Sequence, residues 1–258
     1  MQNLQTQRRP WLESLASIAR EAGELILEVY ARDFAVSGKQ DNSPVTEADE
    51  RAERQIVAAL QLLSPQIPIV AEEAVAAGRV PAIGPLFWLV DPLDGTKEFV
   101  SRNGEFTVNI ALVADGMPVL GVVFAPALGQ LFAGDVAAGA WLEVDGGRRP
   151  IHCRQVPEAG LTVLGSRSHG DAAALDAFLA GKRVAALVSA GSSLKLCRIA
   201  AGDADMYPRL GRTMEWDIAA GQAVLVAAGG TVCDLHGTAL RYGKHGFENP
   251  HFVANGLG

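Results

Sequence analysis

Trp88–Phe99 reads WLVDPLDGTKEF, and from this stretch the rest of the chain can be organised. Its first three residues continue an apolar run from Pro85 (PLFWLVDPLDG) that stops at acidic residues, the pattern of a buried strand delivering side chains to its end. Asp91 and Asp94 leave that strand three residues apart with Pro92 between them, which aims two carboxylates into one small volume. Like charges that close are unfavourable unless a proton or cation lies between them. Hard cations such as Mg²⁺ select carboxylate and carbonyl oxygens, so the backbone carbonyl of Leu93 is a third candidate ligand. Gly95 and Thr96 then open a helical turn whose free N–H groups suit a phosphate oxygen.

Just upstream, PIVAEEA (68–74) is a shorter apolar run ending in Glu72 and Glu73, again a strand that ends on carboxylates. Between Glu47 and Leu63 the inward residues Ile56, Val57, Leu60 and Leu63 fall at helical spacing, with Thr46 as N-cap and Asp49 on the first turn. From Trp11 the apolar residues Leu15, Ile18, Ala22, Leu25, Ile26 and Val29 predict a long amphipathic helix. The segment SGKQDNSPVT between the two helices is polar and turn-rich.

Downstream, FTVNIALVA, PVLGVVFA, QLFAGDV and GAWLEV, separated by turn signals, predict an antiparallel meander over 106–144. After residue 150 the texture becomes alternating strand and helix: LTVLGSRSH, a helix over 172–179, VAALVSAG, a helix from Ser192, DADMYPRL, a helix from Asp217, and TVCDL. Two units are therefore expected: 1–150, helices on an antiparallel sheet with most of the metal-binding carboxylates, and 151–258, an α/β half completing the site. The fold class is α+β. Asp217 in EWDIAAG…GG stands at the start of its helix, where an aspartate serves as cap, as ligand, or as both.

The 258 residues, 49% hydrophobic and 20% charged, are those of a globular protein with a substantial core. A net charge of −7 argues against a nucleic-acid polymer as partner. It admits an anionic small molecule only where bound cations invert the local field. The three cysteines, Cys153, Cys197 and Cys233, show no CxxC spacing and read as small buried hydrophobes. The N-terminal stretch lacks a secretory pattern and no long apolar span follows, so a cytoplasmic protein without integral membrane contact is expected, with peripheral inner-membrane association left open.

The ordered set DNSPVTEAD, AEEA, WLVDPLDGTKEF and EWDIAAG…GG, spread over nearly the whole chain, resembles the lithium-sensitive, magnesium-dependent phosphatases of the inositol monophosphatase superfamily. With RNGEFTVNIAL, GSRSH, GSSLK and YPRLG it is similar to the bacterial CysQ branch, 3'(2'),5'-bisphosphate nucleotidases that convert adenosine 3',5'-bisphosphate (PAP) to AMP in sulfur metabolism. One departure is AEEA, where many relatives carry serine after the glutamate pair; it removes no ligand. The resemblance implies a layered αβαβα fold, two or three Mg²⁺ per site and inhibition by Li⁺. By position it implies that Glu72, Asp91, Leu93 (through its carbonyl), Asp94 and Asp217 hold the metal, and that Asp49 and Thr96 position the attacking water with Glu72. Gly95 and Thr96 would hold the phosphate, with Asp217 also at the substrate. It further implies that His169, Ser192, Lys195 and Arg209 surround the nucleotide, where a second phosphate needs cationic donors, and it is compatible with a homodimer. Two alternatives stay open: an inositol monophosphatase of the same superfamily, and a non-catalytic sensor of nucleotide or metal.

Overall fold

The computed structural model describes residues 2–38, 44–166 and 172–257, with the side chains of 2–5 and 44 left aside. In chain order its elements are α1 (Gln2–Tyr30), β1 (Val36–Gly38), β2 (Pro44–Thr46), α2 (Glu47–Leu63), β3 (Ile69–Ala71), α3 (Glu72–Ala76), β4 (Leu86–Asp94), α4 (Thr96–Val100), β5 (Thr107–Ala114), β6 (Met117–Ala125), β7 (Gln130–Asp135), β8 (Gly139–Val144), β9 (Gly147–Ile151), β10 (Leu161–Ser166), α5 (Ala172–Leu179), β11 (Val184–Ala190), α6 (Leu194–Ala200), β12 (Met206–Arg209), α7 (Glu215–Ala227), β13 (Thr231–Asp234) and β14 (Phe252–Asn255).

Strands β3 to β9 form one sheet in sequential order, parallel only at β3–β4, so the meander expected over 106–144 is present and is extended by β9. Strand β4 shows why its sequence is apolar on both sides. Trp88 and Val90 face the core beneath α1 and α2, whereas Phe87 and Leu89 face the core shared with α6 and α7. The second sheet runs β11-β10-β12-β14-β13 and lies beyond α6 and α7, with α5 outermost. The layers are thus αβαβα. Helix α7 lies so close to the first sheet that a Cβ on Gly121 would stand 2.3 Å from the Ala220 carbonyl oxygen, which leaves glycine as the residue that fits. That contact fixes where the N-terminus of α7, and Asp217 with it, meets β5.

Several local expectations change. The segment read as polar turn carries the short antiparallel pair β1–β2, too brief for a periodic signal. Helix α6 starts at Leu194, not Ser192, because Ser192 has φ 45 and cannot continue a right-handed helix. Helix α7 begins at Glu215, which makes Asp217 its third residue, not its first. Cys153 and Cys197 are buried, but Cys233 is half-exposed. Among the described residues no helix is long and apolar enough to cross a membrane.

The second sheet is tied to the chain entering it by Asp205. Its carboxylate accepts Arg154 Nε and Nη2, both at 2.9 Å, and the Thr162 N–H at 2.7 Å. Burial pushes this carboxyl up, but the Arg154 and Thr162 hydrogen bonds outweigh it and hold the group below its ordinary value. Asp205→Asn is expected to destabilise the fold by about 2 kcal/mol, as for loss of a charged hydrogen bond. Since the folded value is the lower one, this stabilisation is present above the unfolded pKa of about 3.9 and disappears as pH falls through the folded value. Urea melts of both proteins at neutral and acid pH check this: the gap should narrow in acid.

Candidate active site

The apolar run of β4 ends in an irregularity. The register with β5 is regular to Asp91, opposite Asn109, and resumes at Asp94, opposite Thr107. Pro92, lacking an N–H, stands in the bulge. The Asp91 carboxylate is buried and accepts the Leu93 N–H at 3.0 Å, while Asp94 is carried past it to the wall of a cavity of about 400 Å³. Gly95 follows with φ 90, a conformation that suits glycine, and turns the chain into α4.

Glu72, Asp94, Gly95, Thr96, Ser192, Lys195, Arg209 and Asp217 all line this one cavity. They come from α3, β4, the turn into α4, α4 itself, the β11–α6 loop, α6, β12 and α7. Asp91 and Leu93 lie behind Asp94; the Leu93 carbonyl oxygen is 3.3 Å from Thr96 Oγ1. Asp49 sits at the start of α2, where its Oδ2 accepts the Thr46 N–H at 2.7 Å in a capping box and its Oδ1 lies 3.2 Å from Thr96 Oγ1. Asp217 likewise accepts the Met214 N–H at 2.8 Å, so the same carboxylate that caps α7 also lines the cavity. His169 lies outside the described residues. Glu98, Arg212 and Trp216 also line the cavity and were not singled out from the sequence. Glu98, nearly fully buried, follows Thr96 by two residues, and its place in the quoted motif was the available signal.

One wall is acidic. Burial pushes the Asp94 carboxyl up to about 6; Lys195 and the Ser193 N–H pull it down, and Glu72 and Glu98 add to the rise. Asp217 is raised well above the ordinary range, first by burial and then by Asp94 and Glu72. These neighbours resist being charged together, which a divalent cation would relieve, and their oxygens are the donor type Mg²⁺ prefers. Among the described residues no three acidic, histidine or cysteine side chains close into a ready-made cage. The carboxylates stand instead around open volume.

The same cavity also carries two cationic groups, Lys195 and Arg209. Lys195 is almost completely buried; burial lowers it to about 8, with Asp94 opposing and Arg209 adding to the drop. Its Nζ donates to the carbonyls of Ala190 at 3.1 Å and Ser192 at 2.7 Å, leaving a third donor. Arg209, at the end of β12, donates through Nη2 to the Arg212 carbonyl at 2.8 Å, while its buried Nε has no partner among the described residues. Hydrolytic chemistry on a phosphate ester fits such a cavity, which holds both oxygen ligands for cations and donors for a second anionic group.

A Salmonella typhimurium protein named 3'(2'),5'-bisphosphate nucleotidase CysQ is 47% identical over 93% of this chain and 98% of its own length. The protein of that name from Escherichia coli K12 is 45% identical over the same shares. Among solved structures, CysQ from Bacteroides thetaiotaomicron, described as a bacterial member of the inositol monophosphatase family, superposes with a TM-score of 0.78 at 36% identity, covering 95% of this chain and 97% of that one. An inositol monophosphatase from Anabaena gives 0.75 at 26% identity over 100% and 92%. The profile of the inositol monophosphatase family matches residues 7–255, and the chain belongs to that family.

Proposed function

We propose that this protein is a magnesium-dependent 3'(2'),5'-bisphosphate nucleotidase that removes the 3'-phosphate of PAP to give AMP and phosphate. The observation that carries this reading is the single cavity that gathers Glu72, Asp94 and Asp217 together with Lys195 and Arg209. Relatives bearing the nucleotidase name at 45–47% identity support it over the inositol monophosphatase alternative, whose solved examples from Anabaena and Thermotoga maritima are more distant at 26% and 29%. They also favour an enzyme over a sensor.

In this reading Glu72, Asp91, Asp94, Asp217 and the Leu93 carbonyl hold the magnesium. Bound there, the metal supplies Lewis-acid polarisation of the phosphoryl oxygens and a more acidic water. The chain's own groups do the rest. Thr96 Oγ1 has one proton and two acceptors within reach, Asp49 Oδ1 and the Leu93 carbonyl oxygen. Its lone pairs are therefore available to accept a hydrogen bond from the attacking water and orient it. Gly95 and the first turn of α4 hold the scissile phosphate, and Ser192, Lys195 and Arg209 hold the nucleotide with the phosphate that stays. Both halves, 1–150 and 151–258, contribute residues to this cavity, Asp217 of the second standing beside Asp94 of the first, so neither is active alone.

The test is phosphate release from PAP, an inositol monophosphate and fructose 1,6-bisphosphate, with and without Mg²⁺ and with added Li⁺. Fastest turnover of PAP, strict Mg²⁺ dependence and lithium inhibition are expected; preference for the inositol phosphate would overturn the assignment. Arg209→Ala should raise KM for PAP by roughly 30-fold, the equivalent of about 2 kcal/mol for a buried charge contact. KM for a simple monophosphate should hardly move. Equal effects on both would remove Arg209 from the second-phosphate site.

A further inference from the structure

Thr107 and Asn109 stand two residues apart on β5, so their side chains leave the same face of a strand otherwise filled by apolar residues. Both are completely buried, with exposures of 0% and 1%. On that face they meet Ser193, the residue before α6. Ser193 Oγ is 3.0 Å from Thr107 Oγ1 and donates to Asn109 Oδ1 at 2.8 Å. Asn109 Nδ2 in turn reaches Asp94 Oδ2 and the Asp217 carbonyl oxygen, each at 3.4 Å. The backbone N–H of Ser193 donates to the same Asp94 Oδ2 at 2.6 Å. A chain of buried polar groups thus runs from the first sheet, through the β11–α6 loop, to one oxygen of a single carboxylate.

Such groups are costly to bury and hold their geometry only when each is satisfied. Here both donors converge on Oδ2, which fixes the carboxylate plane and leaves Oδ1 for a ligand. The loop that supplies Ser193 is itself held tightly. The Gly191 N–H donates to Glu105 at 2.8 Å, Ser192 is in the left-handed region, and Lys195 Nζ closes onto the Ser192 carbonyl. A ligand that engages Ser192 or Lys195 therefore acts on the backbone that carries the Ser193 N–H.

We propose that Ser193, Asn109 and Thr107 are positioning residues that hold Asp94 in its metal-binding orientation, and that through Ser193 the loop 191–195 couples nucleotide binding to metal binding. This rests on reading the cavity as the metal-dependent nucleotidase site. Because coupling between two ligands is reciprocal, nucleotide should tighten metal binding by the same factor as metal tightens nucleotide binding.

Calorimetric titration of Mg²⁺ into the metal-stripped full-length protein, with and without AMP, tests it on wild type, Ser193→Ala, Thr107→Val and the double variant. Melting temperatures in chelator are taken alongside. Ser193→Ala should weaken Mg²⁺ about 10-fold, the usual cost of losing a partner behind a metal ligand, and should abolish the tightening by AMP. Thr107→Val, which keeps the side-chain shape, should shift both in the same direction by less. The double variant should be no worse than Ser193→Ala, since the groups form one chain. Wild-type Mg²⁺ affinity in Ser193→Ala with an unchanged melting temperature overturns the clamp. Equal Mg²⁺ affinity with and without AMP in wild type overturns the coupling. If Ser193→Ala does not fold, unaltered Mg²⁺ affinity in Thr107→Val is the overturning result. Wild type that takes up no Mg²⁺ refutes the reading of the site itself, whereas wild type that hydrolyses PAP with Mg²⁺ beside variants that bind the metal equally well refutes the clamp alone.

Discussion

Asp94→Asn is expected to lower kcat/KM for PAP by about 10³-fold or more, beyond the ~10²-fold upper range for loss of a mere supporting partner of a metal ligand. The same substitution should leave the metal-free protein at least as stable as wild type, which separates it from damage to the fold. Asparagine keeps an oxygen that can accept the Ser193 N–H, now at 2.6 Å, and it removes a charge that burial, Glu72 and Glu98 all oppose. The wild type should gain stability on adding Mg²⁺ and the variant should gain little, because a ligand stabilises only a native state that binds it. Melting curves in chelator and in Mg²⁺, beside turnover, read both effects. Near-normal turnover of the variant at saturating Mg²⁺ would show that Asp94 is not a ligand.

How much of this site was legible in the sequence depended on which physical signal each residue gave. Asp91 and Asp94 were visible because, although a DPLDG run alone also suits a capped turn, two carboxylates leaving an apolar strand beside the Glu72–Glu73 pair call for a cation, and β4 carries both at a bulge. The N-cap of α2 was visible in Thr46, but Asp49 taken alone read as an ordinary helix-face acid, and only the structure joins the two in a capping box. Lys195 and Arg209 entered only by resemblance: taken alone, a lysine in a predicted helix is indistinguishable from a surface residue. Asn109, Thr107 and Ser193 escaped for another reason. Two polar residues at alternate positions of a strand are the ordinary mark of a solvated face. Only the packing of α7 against Gly121 and of the β11–α6 loop against Asp94 turns that face into a buried one. The β1–β2 pair and β14 were missed because runs of three or four residues carry too little periodicity.

Thr96→Val is the second substitution with a large expected effect. The side chain keeps its shape, so binding of Mg²⁺ and of PAP should change little, while kcat should fall by about 10²-fold, the scale of a positioned proton acceptor or donor. The argument lies in the geometry of one hydroxyl. Thr96 Oγ1 is held between Asp49 Oδ1 at 3.2 Å and the Leu93 carbonyl oxygen at 3.3 Å, so its proton is engaged on the protein side whichever acceptor takes it. The oxygen then presents lone pairs to the cavity that Thr96 lines. Valine presents a methyl group there, and the water loses its acceptor. Thr96→Ser should restore most of the rate, because the hydroxyl and both acceptors are retained. Asp49→Ala should also slow turnover, but it removes the acceptor for the Thr46 N–H as well and should cost about 1 kcal/mol of stability through the lost cap. A rate loss with unchanged stability in Thr96→Val, rescued by serine, therefore places the effect on the attacking water. If Thr96→Val turns over PAP as fast as wild type, the water is oriented by another group, and the Asp49–Thr96 contact serves only to hold α2 against α4.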